Sequence, residues 1–146
     1  MIAIGCDPAG YTLAHRVMEH LDERGMEHCF VGCYDVNHSN YPYFGEAVGI
    51  AVSEGKADMG IVICGSGIGI SIAANKVPGV RAALCFDVPQ AIYARENLDA
   101  NVLAAGGRIV GQERFLDVVD AFLDTKATAA AANVKLIEKV EAAFRK

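Results

Sequence analysis

Apolar runs and amphipathic stretches alternate along the whole chain, and that alternation limits the possible fold more than any other feature. "MIAIG" reads as a strand, and "AGYTLAHRVMEHLDERG" follows it, with Leu13, Val17, Met18 and Leu21 at helical spacing and Gly25 as the stop. A second strand, "MEHCFVG", leads into "CYDVNHSNYPYF", whose Asn, Ser and Pro mark a loop. The helix "PYFGEAVGIAVSEG" has Pro42 in its first turn and Gly55 past its end. Next come the strand "ADMGIVIC" and the helix "GIGISIAANKV", stopped by Pro78-Gly79. The strand "VRAALC", the helix "VPQAIYARENL", the strand "NVLAAG" and the helix "QERFLDVVDAFLDT" complete the pattern. The tail "TAAAANVKLIEKVEAAFRK" reads as a sixth helix, with Leu136, Val140 and Phe144 on one stripe. It lies either across a partner subunit or on its own sheet.

Continuously apolar strands alternating with helices predict a five-stranded parallel sheet covered on both faces. Right-handed crossovers make it a doubly wound, Rossmann-like α/β sandwich. The 146 residues suffice for one domain spanning 1–146. In such sheets ligands bind beyond the carboxyl ends of the strands. Three segments fall there: "GCDPAG", the 33–41 loop and "CGSGIG".

The third segment raises the sharpest chemical question, because Cys64 closes a strand where a helix is about to begin. Main-chain amides at a helix start have no internal partner and stabilise nearby anions. Glycines let several of them converge, and a cysteine beside them is drawn toward the thiolate. Cys64 is therefore either a catalytic base or a structural cysteine in a phosphate-binding turn. The turn matches neither G-x-G-x-x-G nor G-x-x-x-x-G-K-[ST], so the nucleotide fingerprints are absent. Asp7 either accepts hydrogen bonds from sugar hydroxyls or caps the first helix, and both roles are compatible. Tyr41 offers a hydroxyl at the same edge or packs beside Pro42. Arg108 follows the fifth strand and falls at the ligand edge, whereas Lys76, Arg81 and Arg95 read as scattered charges. His15 and His20 read as solvated, His28 starts a strand, and His38 stands on the 33–41 loop within reach of a ligand.

Composition removes several classes. The net charge is −5 with no basic stripe, which disfavours nucleic acid. No apolar run reaches the roughly 18 residues that span a bilayer, so no membrane association is expected. "MIAIGCDPAG" shows neither a charged region before its apolar run nor a small-residue cleavage site, so a cytoplasmic location is expected. The cysteine count, five, is odd and suits no disulfide framework; Cys6, Cys29, Cys33 and Cys85 read as small apolar residues. Cys29 and Cys33 form a C-x₃-C pair without a second ligand pair, so no metal is expected.

"GCDPAG", "NYP", "ICGSGIGISIAANKVPGVRAAL" and "DANVLAAGGRIVG" together resemble the ribose-5-phosphate isomerase B and galactose-6-phosphate isomerase family. The resemblance runs from residue 1 to about 125, and segment 33–111 is most similar to the galactose-6-phosphate isomerase B subunit. It implies aldose–ketose interconversion of a sugar phosphate through a cis-enediolate, with no cofactor. It also implies roles: Cys64 moves the proton between C1 and C2, and Ser66 helps shuttle the hydroxyl proton. The amides of Gly65, Gly67, Ile68 and Gly69 hold the enediolate oxygen; Asp7, with Pro8 beside it, and Tyr41 orient sugar hydroxyls; Arg108 contacts phosphate. Family sites form between subunits of a homodimer or tetramer, so Asn97, Asn101 and Lys135 would face Cys64 of the partner subunit.

The departures are as informative. Pro8 stands where ribose enzymes carry a histidine, and Asn97-Leu98 where they carry His-Asn, a histidine that helps open the sugar ring. Ala131 and Lys135 occupy the stretch that usually offers two phosphate-binding arginines, and Ile70 the place where some members put a catalytic glutamate. Substrates of the galactose 6-phosphate or ribose 5-phosphate type lead. A tetrulose phosphate, an unphosphorylated sugar acid, and a non-catalytic subunit that needs a paralogous partner are the alternatives.

Overall fold

The computed structural model describes residues 1–33 and 40–145, so the position proposed for His38 lies outside the described residues. The elements are β1 (Ile2–Cys6), α1 (Tyr11–Glu23), β2 (His28–Phe30), α2 (Tyr41–Ser53), β3 (Met59–Cys64), α3 (Ile68–Ala74), β4 (Ala82–Leu84), α4 (Val88–Leu98), β5 (Val102–Gly106), α5 (Gln112–Asp124) and α6 (Ala131–Phe144). The strands form one parallel sheet in the order β2-β1-β3-β5-β4. From β1 the chain builds outward to β2 on one side and to β3 on the other. The order therefore reverses between β1 and β3, which opens a crevice beyond their carboxyl ends.

Side chains alternate across the sheet and divide the core into two layers. Ile61 and Ile63 of β3 face Leu13, Val17 and Leu21 of α1 and Phe115 and Phe122 of α5. Val62 and Cys64 face Val48 of α2 and Ile70 and Ala74 of α3. Burying each large apolar side chain contributes about 1.5–3 kcal/mol. An exposed ion pair such as Arg16–Glu113 is screened by water and adds little, so the two apolar layers set the stability.

Several expectations are corrected by contacts distant in sequence. α3 ends at Ala74 instead of running to Pro78, because the Asn75 side chain pairs with edge strand β4: Nδ2 donates to the Ala82 carbonyl at 2.9 Å, and Oδ1 accepts from the Ala82 amide at 2.8 Å. β2 and β4, the two sheet edges, are each trimmed to three residues. His20 is not solvated: its Nε2 lies 2.7 Å from Asp120 Oδ1, an oxygen that also accepts from Arg24 Nη1 at 2.6 Å, tying α1 to α5. Arg95 is no surface charge: it is 7% exposed, donates from Nη1 to Asp99 Oδ1 and the Ala100 carbonyl, each at 2.7 Å, and lies over the Phe122 ring. Nor does α6 lie on its own sheet. It packs against α4 and buries none of its residues, leaving Leu136, Val140 and Phe144 59%, 63% and 83% exposed. No helix among the described residues is long and apolar enough to cross a membrane.

Burial has a consequence at high pH. It pushes the Cys6 thiol from 9.0 up to about 12 and, helped by the charge of Asp87, the Cys85 thiol up to about 11. The native state then keeps protons that the unfolded chain releases above pH 9. The stabilisation is complete below that pH and is lost as pH rises, by up to about 1.4 kcal/mol per unit for each thiol. The urea midpoint is expected to fall between pH 9 and 11, and to fall less steeply in Cys85→Ala. A slope unchanged by that substitution would contradict this.

Candidate active site

The end of β3 and the turn after it form the floor of the site. Cys64 pairs with Gly106 of β5 and is 5% exposed. The chain then turns up through Gly65, Ser66 and Gly67 to start α3. Gly67 sits in the left-handed region at φ +78°, and a Cβ there would stand 2.6 Å from the Ala105 carbonyl carbon and 2.8 Å from the Gly106 amide nitrogen. Only glycine fits this corner. Folded so, the Gly67 N–H donates to Cys64 Sγ at 3.1 Å, and the Ile68 N–H donates to Ser66 Oγ at 3.2 Å. The Gly65 and Ser66 amides have no partner among the described residues, and the Gly69 amide lies in the first helical turn, outside the i→i−4 ladder.

Residues from the ends of neighbouring strands build the walls. Asp7 follows β1; its Oδ1 accepts the Gly10 N–H at 3.0 Å and so caps the 3-10 turn Pro8–Gly10 and not the first helix itself, since α1 has Gly10 as its N-cap. Its Oδ2 has no donor among the described residues. Tyr41 opens α2 and lays its ring against Gly69. Arg108 follows β5; its N–H donates to the Gly65 carbonyl at 3.1 Å, its side chain runs alongside Gly65, and its guanidinium has no carboxylate partner among the described residues. Together these residues enclose a cavity of about 690 Å³, lined by Asp7, Pro8, Tyr41, Cys64, Gly65, Ser66, Ile68, Gly69 and Arg108. Sulfur, main-chain amides, a carboxylate, a phenol and a guanidinium thus share one space. That set can take a proton from carbon, hold an oxyanion, bind hydroxyls and grip an anionic end.

The model of the Ribose/Galactose Isomerase family matches residues 2–140. The chain belongs to this family. Galactose-6-phosphate isomerase subunit LacB of Clostridium acetobutylicum is 41% identical over 141 residues, which cover 97% of this chain and 82% of the relative. Ribose-5-phosphate isomerase B of Escherichia coli is 46% identical over 122 residues, covering 84% and 82%. The solved structure of ribose-5-phosphate isomerase B from Clostridium thermocellum matches with a TM-score of 0.96 at 44% identity, over 99% of both chains.

Within this ribose/galactose isomerase scaffold, four of the expected site residues do not line the cavity: Gly67, whose N–H turns to Cys64 Sγ, and Asn97, Asn101 and Lys135, which lie away from it. α4 runs back against the strand direction, so Asn97 at its end stands at the opposite sheet edge, where its carbonyl accepts from Asn133 Nδ2 at 2.9 Å. Asn101 uses its amide within its own chain, donating from Nδ2 to the Gly79 carbonyl at 2.9 Å and accepting the Arg81 N–H at 2.8 Å. Lys135 is exposed on α6. Ile70 is fully buried in the layer between sheet and helices. Two lining residues escaped the sequence reading, Ala9 and Ile109. They directly follow Pro8 and Arg108, and that adjacency was the available signal. Among the described residues no histidine lines the cavity.

Proposed function

We propose that this family member interconverts an aldose phosphate and its ketose phosphate through a cis-enediolate, with Cys64 as the base. The juxtaposition that carries this reading is the Cys64 sulfur and the 64–69 turn amides in one cavity with Asp7, Tyr41 and Arg108. The Cys64 thiolate takes the C2 proton of the open-chain aldose and the resulting thiol returns it to C1, while the Ser66 hydroxyl relays the proton between O1 and O2. The Gly67 N–H, aimed at the sulfur, steadies negative charge there. The amides of Gly65, Ser66 and Gly69 hold the enediolate oxygen, the Ile68 N–H being taken by Ser66 Oγ, and one such donor is worth about 3–4 kcal/mol of barrier. Asp7 and Tyr41 orient hydroxyls, beside Pro8, and Arg108 takes the phosphate.

Substrates of the galactose 6-phosphate or ribose 5-phosphate type fit this reading best. The protein works in the cytoplasm as a homodimer or tetramer. The uncovered stripe of Leu136, Val140 and Phe144 supports association, and a second copy would bring Asn97, Asn101 and Lys135 toward the cavity from outside. Incubating the purified protein with a panel of aldose phosphates and following ketose formation tests the reaction. Binding of every member with turnover of none would contradict it. Arg108 as the sole cation lining the cavity among the described residues favours a second reading, a subunit that needs a paralogous partner. Turnover that appears only on mixing with such a subunit would select it.

Arg108 allows a quantitative check. A hydrogen bond to a charged group contributes about 1.5–3 kcal/mol, so Arg108→Ala is expected to raise KM for the phosphorylated sugar about 10- to 100-fold. KM for the unphosphorylated sugar should hardly move. Equal effects on both would remove Arg108 from the phosphate.

A further inference from the structure

Gly69 differs from Gly67 in what its missing side chain makes room for. A Cβ on Gly67 would strike main chain, whereas a Cβ on Gly69 would stand 2.5 Å from Tyr41 Cε2, 2.7 Å from Cζ and 3.1 Å from Oη. Gly69 lies inside α3, outside the left-handed region, so its backbone does not require glycine. Glycine there weakens the helix relative to alanine. What the bare Cα provides is a seat for the phenol ring. Tyr41 is 40% exposed at the first residue of α2, so a methyl at position 69 can push its ring outward without disturbing the core. Both residues line the Cys64 cavity.

We infer that Gly69 is a positioning residue that seats the Tyr41 phenol on the turn facing Cys64, and that the seated phenol selects substrates by a hydroxyl beyond the reacting carbons. The inference rests on the isomerase reading above. Steady-state kinetics of Gly69→Ala, Tyr41→Phe and the double variant test it, on whichever aldose phosphate the wild type turns over, together with a crystal structure of Gly69→Ala. Losing one neutral hydrogen bond is expected to raise KM about 3- to 10-fold in either single variant, with kcat changed less. The double variant should be no worse than the weaker single one. The ring should be displaced in the crystal structure, and the melting temperature should not fall. Effects that multiply, or a ring in its original place, would overturn the inference. If Gly69→Ala does not fold, Gly69→Ala/Tyr41→Ala decides: removal of the ring should restore folding, and failure to restore it overturns the proposed clash. Should the wild type turn over no aldose phosphate, the isomerase reading falls, and the crystal structure still decides whether Gly69 seats the ring.

Discussion

Cys64→Ala is expected to lower turnover by about 10²–10⁴-fold, the range a positioned acid–base group contributes. The loss should fall on kcat more than on KM, because the base proposed here acts on a proton in flight and not on the bound ground state. The fold should persist. Cys64 stands at the carboxyl end of β3, where it lines the cavity, and its removal enlarges an existing space instead of opening a new one in the core. Steady-state kinetics with the melting temperature as control separate the two effects. A variant that keeps near wild-type kcat would show that the proton moves by another group.

Gly67→Ala is expected to be the most damaging single methyl in the turn. Two costs add at this position. A left-handed backbone costs an alanine about 1–2 kcal/mol, and forcing extra volume into a packed site costs about 1–3 kcal/mol. Leu84 Cδ1 is in the way at 2.6 Å and can turn aside, but so is the Ala105 and Gly106 main chain of β5, which is pinned by pairing with β3 and cannot. The sum, about 2–5 kcal/mol, should appear as a lower urea midpoint, and the displaced amide should lose its contact with Cys64 Sγ. Gly69→Ala, two residues onward, should cost almost nothing in stability, because there the obstacle is the Tyr41 ring. Equal destabilisation by both substitutions would contradict this assignment.

What could be read from the chain alone was whatever is local. The alternation of elements, the helix Val88–Leu98 and the glycine turn beside Cys64 depend on residues within a few positions of one another. What could not be read depends on distant partners. The end of α3 is decided by Asn75 reaching β4, and the burial of His20 by Asp120, 100 residues away. Arg95 looks like any helical arginine until Phe122 is brought beneath it by the packing of α4 on α5. The site divides in the same way. Asp7, Tyr41, Cys64, Ser66 and Arg108 follow or face strand ends, so topology gathers them. Asn97 and Lys135 sit on helices that carry them off to the other edge or the outside.

The central claim concerns one proton, so the most direct measurement follows that proton. Substrate is equilibrated with the protein in deuterated water, and loss of the aldose C2 hydrogen signal is recorded by NMR for the wild type and for Cys64→Ala. The wild type should exchange that hydrogen with solvent during turnover, and Cys64→Ala should leave it in place. Exchange in Cys64→Ala at close to the wild-type rate would take the role of base away from Cys64.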